Sequence, residues 1–108
     1  MAYGSALAVL ADPTRREVFE RLRAGARPVN VIAAGMPVSR PAVSQHLRVL
    51  KDAGLVEERS EGVRRMYSVR REGLAELRAW LESFWGDALD AFVLEAERSY
   101  KAKRKRKK

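Results

Sequence analysis

The chain contains no cysteine and a single histidine, His46. The first absence excludes disulfides, zinc–thiolate sites and thiol catalysis, and it fits a reducing, cytoplasmic setting. One histidine without a cysteine also leaves few catalytic options. No nucleophile–base pair, phosphate-cradling glycine loop or convincing carboxylate pair is written into the sequence, so it reads as a binding protein and not an enzyme. Long apolar runs are missing too. Nothing approaches the roughly 18 apolar residues of a membrane helix, and Met1 to Leu10 lacks the basic start and apolar core of a signal peptide.

What is present reads as one globular domain. The 108 residues are 46% hydrophobic and 33% charged. A chain this short builds one small core and gains burial by pairing with a second copy. Its wealth of Arg, Ala, Val and Gly is what GC-rich bacterial coding produces. The net charge of +8 suggests nucleic acid, but the final KAKRKRKK holds seven of the positive charges, which leaves +1 for the body. We therefore read residues 1–100 as the domain and 101–108 as a basic tail kept disordered by self-repulsion. Such a tail serves either as an arm adding non-specific DNA affinity or simply for solubility. Inside the body, five arginines against one acid lie between Arg59 and Arg71, and seven acids against two arginines between Glu72 and Arg98. One face for phosphate and another for a different partner follow from that split.

Ser5 is placed to cap a short helix carrying Leu7, Val9 and Leu10. Asp12-Pro13 then gives an N-cap carboxylate followed by proline at the first helical position. Val18, Phe19 and Leu22 repeat at helical spacing up to Gly25. Pro28 opens a short helix from Val29 to Ala34, broken by Gly35-Met36-Pro37. Ser39 caps the next helix, which runs to about Ala53 with Val43, Leu47 and Leu50 on one face. The period then becomes two. Leu55 to Arg59 reads as a strand and Ser60-Glu61-Gly62 as a turn. Val63, Arg65, Tyr67 and Val69 form one face of a second strand, with Arg64, Met66 and Ser68 on the other. From Gly73 the period is helical again. Leu74, Leu77, Leu81, Phe84, Ala88 and Phe92 make a stripe, with Trp80, Trp85, Leu89 and Val93 beside it, an arc too wide for one neighbour. Gly86 is the weak point of that helix, a place for a bend. The fold class is mainly α with a small β-hairpin, in the order α-α-α-α-β-β-α, a winged helix-turn-helix.

A recognition helix plugs one face into the core and lays the other in the major groove. Here Val43, Leu47 and Leu50 take the core side, while Pro41, Ser44, Gln45, Arg48 and Asp52 face outward. Arg40 and Lys51 lie at one flank and His46 at the other. Glutamine suits adenine and arginine suits guanine in bidentate pairs. The helix N-terminus offers amides to a phosphate, and Arg64 and Arg65 on the wing suit backbone or minor groove. The candidate DNA-binding residues are thus Arg40, Ser44, Gln45, His46, Arg48, Arg64 and Arg65. His46 admits a second reading, as a polar residue at the core margin. Arg15 and Arg16 read as helix surface before DNA contacts.

The stretches ALAVLADPTRREVFERL at 6–22, SRPAVSQHLRVLKDAGLVEER at 39–59 and GVRRMYSV at 62–69 resemble the ArsR/SmtB family of winged-helix repressors. The resemblance implies a homodimer built from the first and last helices that binds an inverted-repeat operator in double-stranded DNA. Leu7, Leu10, Leu77, Trp80, Leu81, Phe84, Trp85, Leu89 and Phe92 are the expected dimer contacts. Trp80, Phe84 and Trp85 also suit an effector pocket. The cysteine cluster that many members use for metals is absent, since that region reads PVNVIAAG. Asp87 and Asp90, with Glu95 and Glu97, are the candidates for an all-oxygen divalent-metal site completed by the partner chain, nickel being one such ion. A solvated acidic face explains the same residues and is favoured. A co-regulator protein docking on the winged domain is the remaining alternative.

Overall fold

The computed structural model describes the backbone of residues 2–106 and the side chains of residues 6–102. Its elements are α1 (Ala2–Leu10), α2 (Pro13–Glu20), α3 (Val29–Ile32), α4 (Arg40–Asp52), β1 (Val56–Glu61), β2 (Arg64–Val69) and α5 (Arg71–Arg106). The chain divides into two compact units, Met1–Leu77 and Arg78–Lys108. The first holds the four short helices, the hairpin and the opening turns of α5. The second is the remainder of that helix. Among the described residues, no helix is long and apolar enough to cross a membrane.

The helix starts form where the sequence directs. Asp12 accepts from the Arg15 amide at 3.0 Å, and Ser39 Oγ accepts from the Ala42 amide at 3.3 Å. Each cap satisfies one amide that its helix leaves without an internal partner, and each is followed by a proline in the first turn. α2 ends at Glu20, earlier than Gly25. The chain then continues through three-residue turns, Arg23 N–H to Glu20 O at 3.1 Å and Gly25 N–H to Leu22 O at 3.1 Å. Those turns still deliver Leu22 to the core. α3 is shorter than expected, with Ala33 as its C-cap. Ser5 lies inside α1 and not at its start, because the helix already begins at Ala2.

The core is assembled from Val18, Leu22, Ile32, Val43, Leu47, Leu50, Leu55 and Val56, all 1% exposed or less, closed by Ala6, Met36 and Tyr67. Val43, Leu47 and Leu50 plug α4 into it, and each such side chain contributes about 1.5–3 kcal/mol on burial. Arg21 ties α2 to α3. Its guanidinium donates to Ile32 O at 3.1 Å and Ala34 O at 2.6 Å, and pairs with Glu17 at 3.0 Å. It satisfies carbonyls at the end of α3 that the helix itself leaves unpaired.

The hairpin is antiparallel, in the register Val56↔Val69 to Glu61↔Arg64. Its loop is therefore Gly62-Val63. Gly62 has φ +65°, and among the described residues only glycines take a positive φ, as a two-residue loop with glycine first requires. This corrects the placing of Val63 on the second strand, for it sits at the tip and is fully exposed. An isolated bridge joins Arg27 to Tyr67, with both N–H···O bonds at 2.9 Å. Arg27 precedes a proline, which biases it to extended backbone.

The boundary expected at residue 101 does not coincide with a break in secondary structure, since α5 is continuous through Arg106. Lysine and arginine are good helix formers, and cations are favoured at a helix C-terminus. The last two residues lie outside the described part.

Candidate nucleic-acid interface

Between α4 and the wing runs an open groove of about 1010 Å³. From α4 it is lined by Arg40, Pro41, Ser44, Gln45, Arg48, Lys51 and Asp52. The hairpin contributes Glu58, Arg64, Arg65 and Tyr67, and Pro28, Val29 and Asn30 close one end. Six of the seven residues expected to bind DNA thus share one concave surface: Arg40, Ser44, Gln45, Arg48, Arg64 and Arg65. All six are exposed. Five cations against two carboxylates make the lining positive. α4 has 13 residues, about 20 Å of helix.

His46 lies elsewhere. It is half-buried, and its Nδ1 accepts from Arg15 Nε at 3.3 Å. Arg15 also reaches Val9 O at 3.4 Å. The pair joins α2 to the back of the recognition helix, which favours the core-margin reading of His46 and gives Arg15 an internal role. The N-terminus of α4 is less open to phosphate than its capping sequence suggests. Pro41 has no amide hydrogen, the Ala42 amide is taken by Ser39 Oγ, and the Val43 amide by Ser39 O at 3.1 Å. That leaves the Arg40 amide.

Of the five arginines between 59 and 71, Arg64 and Arg65 line the groove. Arg70 is structural, with Nη1 on Gly54 O at 3.4 Å and its amide on Leu55 O at 2.8 Å. Arg59 pairs with Glu61 at 3.9 Å.

Glu58 and Tyr67 are the ionisable groove residues to which the sequence did not point. The period of β1 puts Glu58 on the same face as the buried Val56, and an acid on an inward face was the available signal. Glu58 Oε1 accepts from Lys51 Nζ at 2.6 Å, and its Oε2 lies 3.7 Å from Arg65 Nη1. The Lys51 hydrogen bond, with the charges of Lys51 and Arg65, holds this carboxyl below the ordinary 4.5 despite desolvation. Burial, then the Glu58 charge, pushes the Tyr67 phenol above 10.

On α5, Leu81, Phe84, Trp85, Leu89 and Phe92 are exposed, Trp85 at 67% and Phe92 at 69%. Trp80 packs edge-on to Phe84 with ring centroids 4.9 Å apart. Leu7 is exposed and Leu10 half-buried. Leu77, expected at the dimer contact, is already buried in the single chain at 7% exposure. Asp87 and Asp90 are exposed. No group of three or more Asp, Glu or His among the described residues is placed to hold a metal ion.

A family model described as a helix-turn-helix domain matches residues 10–59. The chain is 52% identical over 84 residues to the HTH-type transcriptional regulator Rv2034 of Mycobacterium tuberculosis, covering 78% of each. It is 31% identical over 75 residues to the transcriptional repressor SdpR of Bacillus subtilis, covering 69% of this chain and 83% of that one. Among solved structures, it is similar to the homodimeric winged helix-turn-helix DNA-binding domain of a possible ArsR-family regulator from Mycobacterium bovis. That likeness has a TM-score of 0.64 at 31% identity and covers 82% of each chain. The wing and the relatives agree, and the chain belongs to the ArsR/SmtB family of winged helix-turn-helix transcriptional regulators.

Proposed function

We propose that this protein is a sequence-specific transcriptional repressor that binds an inverted-repeat operator as a homodimer in the cytoplasm. The observation that carries the reading is the groove, where the outward face of α4 and the two wing arginines converge on one cationic surface. α4 enters the major groove, which is about the width of one helix. Gln45 and Arg48 read base edges, with Ser44 beside them. Arg40, Arg64 and Arg65 hold the backbone on either side. Repression is supported by the relative named for it, and the two-fold assembly by the homodimeric structural neighbour together with the exposed apolar face of α5. The test is selection of duplexes from a random-sequence pool by the purified protein, followed by footprinting upstream of its own gene. Enrichment of an inverted repeat, with half-sites one helical turn or a multiple apart, is the expected outcome. Retention of duplex without sequence enrichment, even at low salt, overturns it.

A further inference from the structure

The groove that faces phosphate holds a carboxylate in its floor. Glu58 is the half-buried member of a three-residue cluster, with its side chain 21% exposed, beneath Lys51 at 47% and Arg65 at 72%. One oxygen takes the Lys51 ammonium at 2.6 Å. The other is shielded from solvent and lies 3.7 Å from the Arg65 guanidinium, with the Tyr67 phenol also interacting with this carboxylate. An anion so placed opposes the approach of DNA, because it offsets cations that would otherwise pair with phosphates and release counterions. It also sits where the recognition helix and the wing meet, so its two cationic partners belong to the two elements whose spacing a duplex must match.

Resting on the DNA reading above, we propose that Glu58 is a specificity-determining positioning residue: it fixes Lys51 of the recognition helix and Arg65 of the wing, and restrains the groove's indiscriminate attraction for DNA. Long cationic side chains left loose meet phosphates in many alignments of the duplex. Pinned by one carboxylate, they meet them in the alignment that also brings Gln45 and Arg48 to base edges. Ionic contacts of this kind contribute more to discrimination and register than to raw affinity.

The test uses the full chain with Glu58→Gln, which keeps the shape and removes the charge, and Glu58→Asp, which keeps the charge and shortens the reach. Affinities are measured by fluorescence anisotropy between about 50 and 300 mM NaCl. The probes are the duplex most enriched by the wild-type chain and a scrambled duplex of equal length. Glu58→Gln is expected to bind the scrambled duplex about 3–10-fold tighter, with a salt slope steeper by about one, and to lose preference for the enriched duplex. Glu58→Asp is expected to keep the wild-type slope and scrambled-duplex affinity while its preference falls. A Glu58→Gln chain whose two affinities move together, or not at all, overturns the proposal, and so does a Glu58→Asp chain with undiminished preference. Thermal melts check that each variant is folded. A wild-type chain with no preferred duplex overturns the operator reading, while the slope of Glu58→Gln on scrambled DNA still decides the charge effect.

Discussion

Gly73, near the start of α5, lies against the backbone of Gly54 at the end of the recognition helix. A Cβ at Gly73 would overlap the Gly54 carbonyl oxygen and come within 2.8 Å of its carbon. Gly54, at φ +79°, is itself held at both ends, its amide donating to Lys51 O at 3.0 Å and its carbonyl accepting from Arg70 Nη1 at 3.4 Å. At Gly86, by contrast, a Cβ meets nothing within 4 Å. The same substitution in one helix should therefore act with opposite signs. Gly86→Ala is expected to stabilise the chain by about 1 kcal/mol, the ordinary helix preference. Gly73→Ala should destabilise it by about 3 kcal/mol or more, as a forced backbone clash. Denaturant melts of the two variants measure both signs.

The Arg15–His46 hydrogen bond yields a second prediction. Since His46 is turned to α2 and lies outside the groove lining, His46→Ala should lower stability and leave affinity for the enriched duplex within about threefold. Arg48→Ala should do the reverse, weakening that complex by about 1–3 kcal/mol with the melting temperature nearly unchanged. A His46→Ala protein that melts as wild type but loses its preferred base at one position would return His46 to the reading face.

These two residues show what the sequence made legible. Capping, proline and periodicity are local signals, so Asp12, Ser39 and the Val43–Leu47–Leu50 face could be read directly. The hairpin loop could not be placed to the residue, because Val63 has the alternation of a strand and only the Glu61↔Arg64 pairing puts it at the tip. His46, Gly73, Arg21 and Glu58 share a different difficulty. Each acts through a partner on another element or segment, as Arg15 on α2 does for His46 on α4, 31 residues away. Helical angle can place His46 on a margin but cannot say which element faces that margin. Arg70 was counted with the phosphate-facing cations for the same reason, although its guanidinium serves the Gly54 carbonyl.

Base-reading and backbone-holding residues should separate experimentally. Gln45→Ala is expected to cost about 1–3 kcal/mol on the preferred duplex and to relax selection at one base pair per half-site. Arg64→Ala should weaken preferred and scrambled duplexes alike and reduce the salt slope by about one. Repeating the duplex selection with each variant distinguishes the two. A narrowed preference after Arg64→Ala would assign the wing a reading role.

The cap at Asp12 predicts a dependence on pH. Its hydrogen bond from the Arg15 amide holds the carboxyl below the ordinary 3.8. A group whose folded value is depressed contributes stability above its unfolded value, and that contribution is lost as pH falls through the folded one. Asp12→Ala should therefore lower the melting temperature at neutral pH. The gap to wild type should be constant down to about pH 5 and close as pH falls below 3.8. A gap that persists unchanged at pH 2 would assign the loss to helix propensity alone.

The exposed aromatic face of α5 gives the last prediction. Phe92 and Trp85 are more than half exposed in the single chain, and a two-fold interface uses every contact twice. Burying one phenylalanine contributes about 1.5–3 kcal/mol, so Phe92→Glu, placed on both copies, should weaken self-association at least a hundredfold. Sedimentation velocity should then show a dimer for the wild type and a monomer for the variant at micromolar concentration. The variant's core residues lie in the Met1–Leu77 unit, so far-ultraviolet dichroism should still report a folded chain. Its binding to an inverted repeat should fall to that of a single half-site, because the two α4 helices are no longer held at fixed separation. A variant that remains dimeric, with Leu7→Glu instead producing the monomer, would place the interface on α1 and leave the α5 face for another partner.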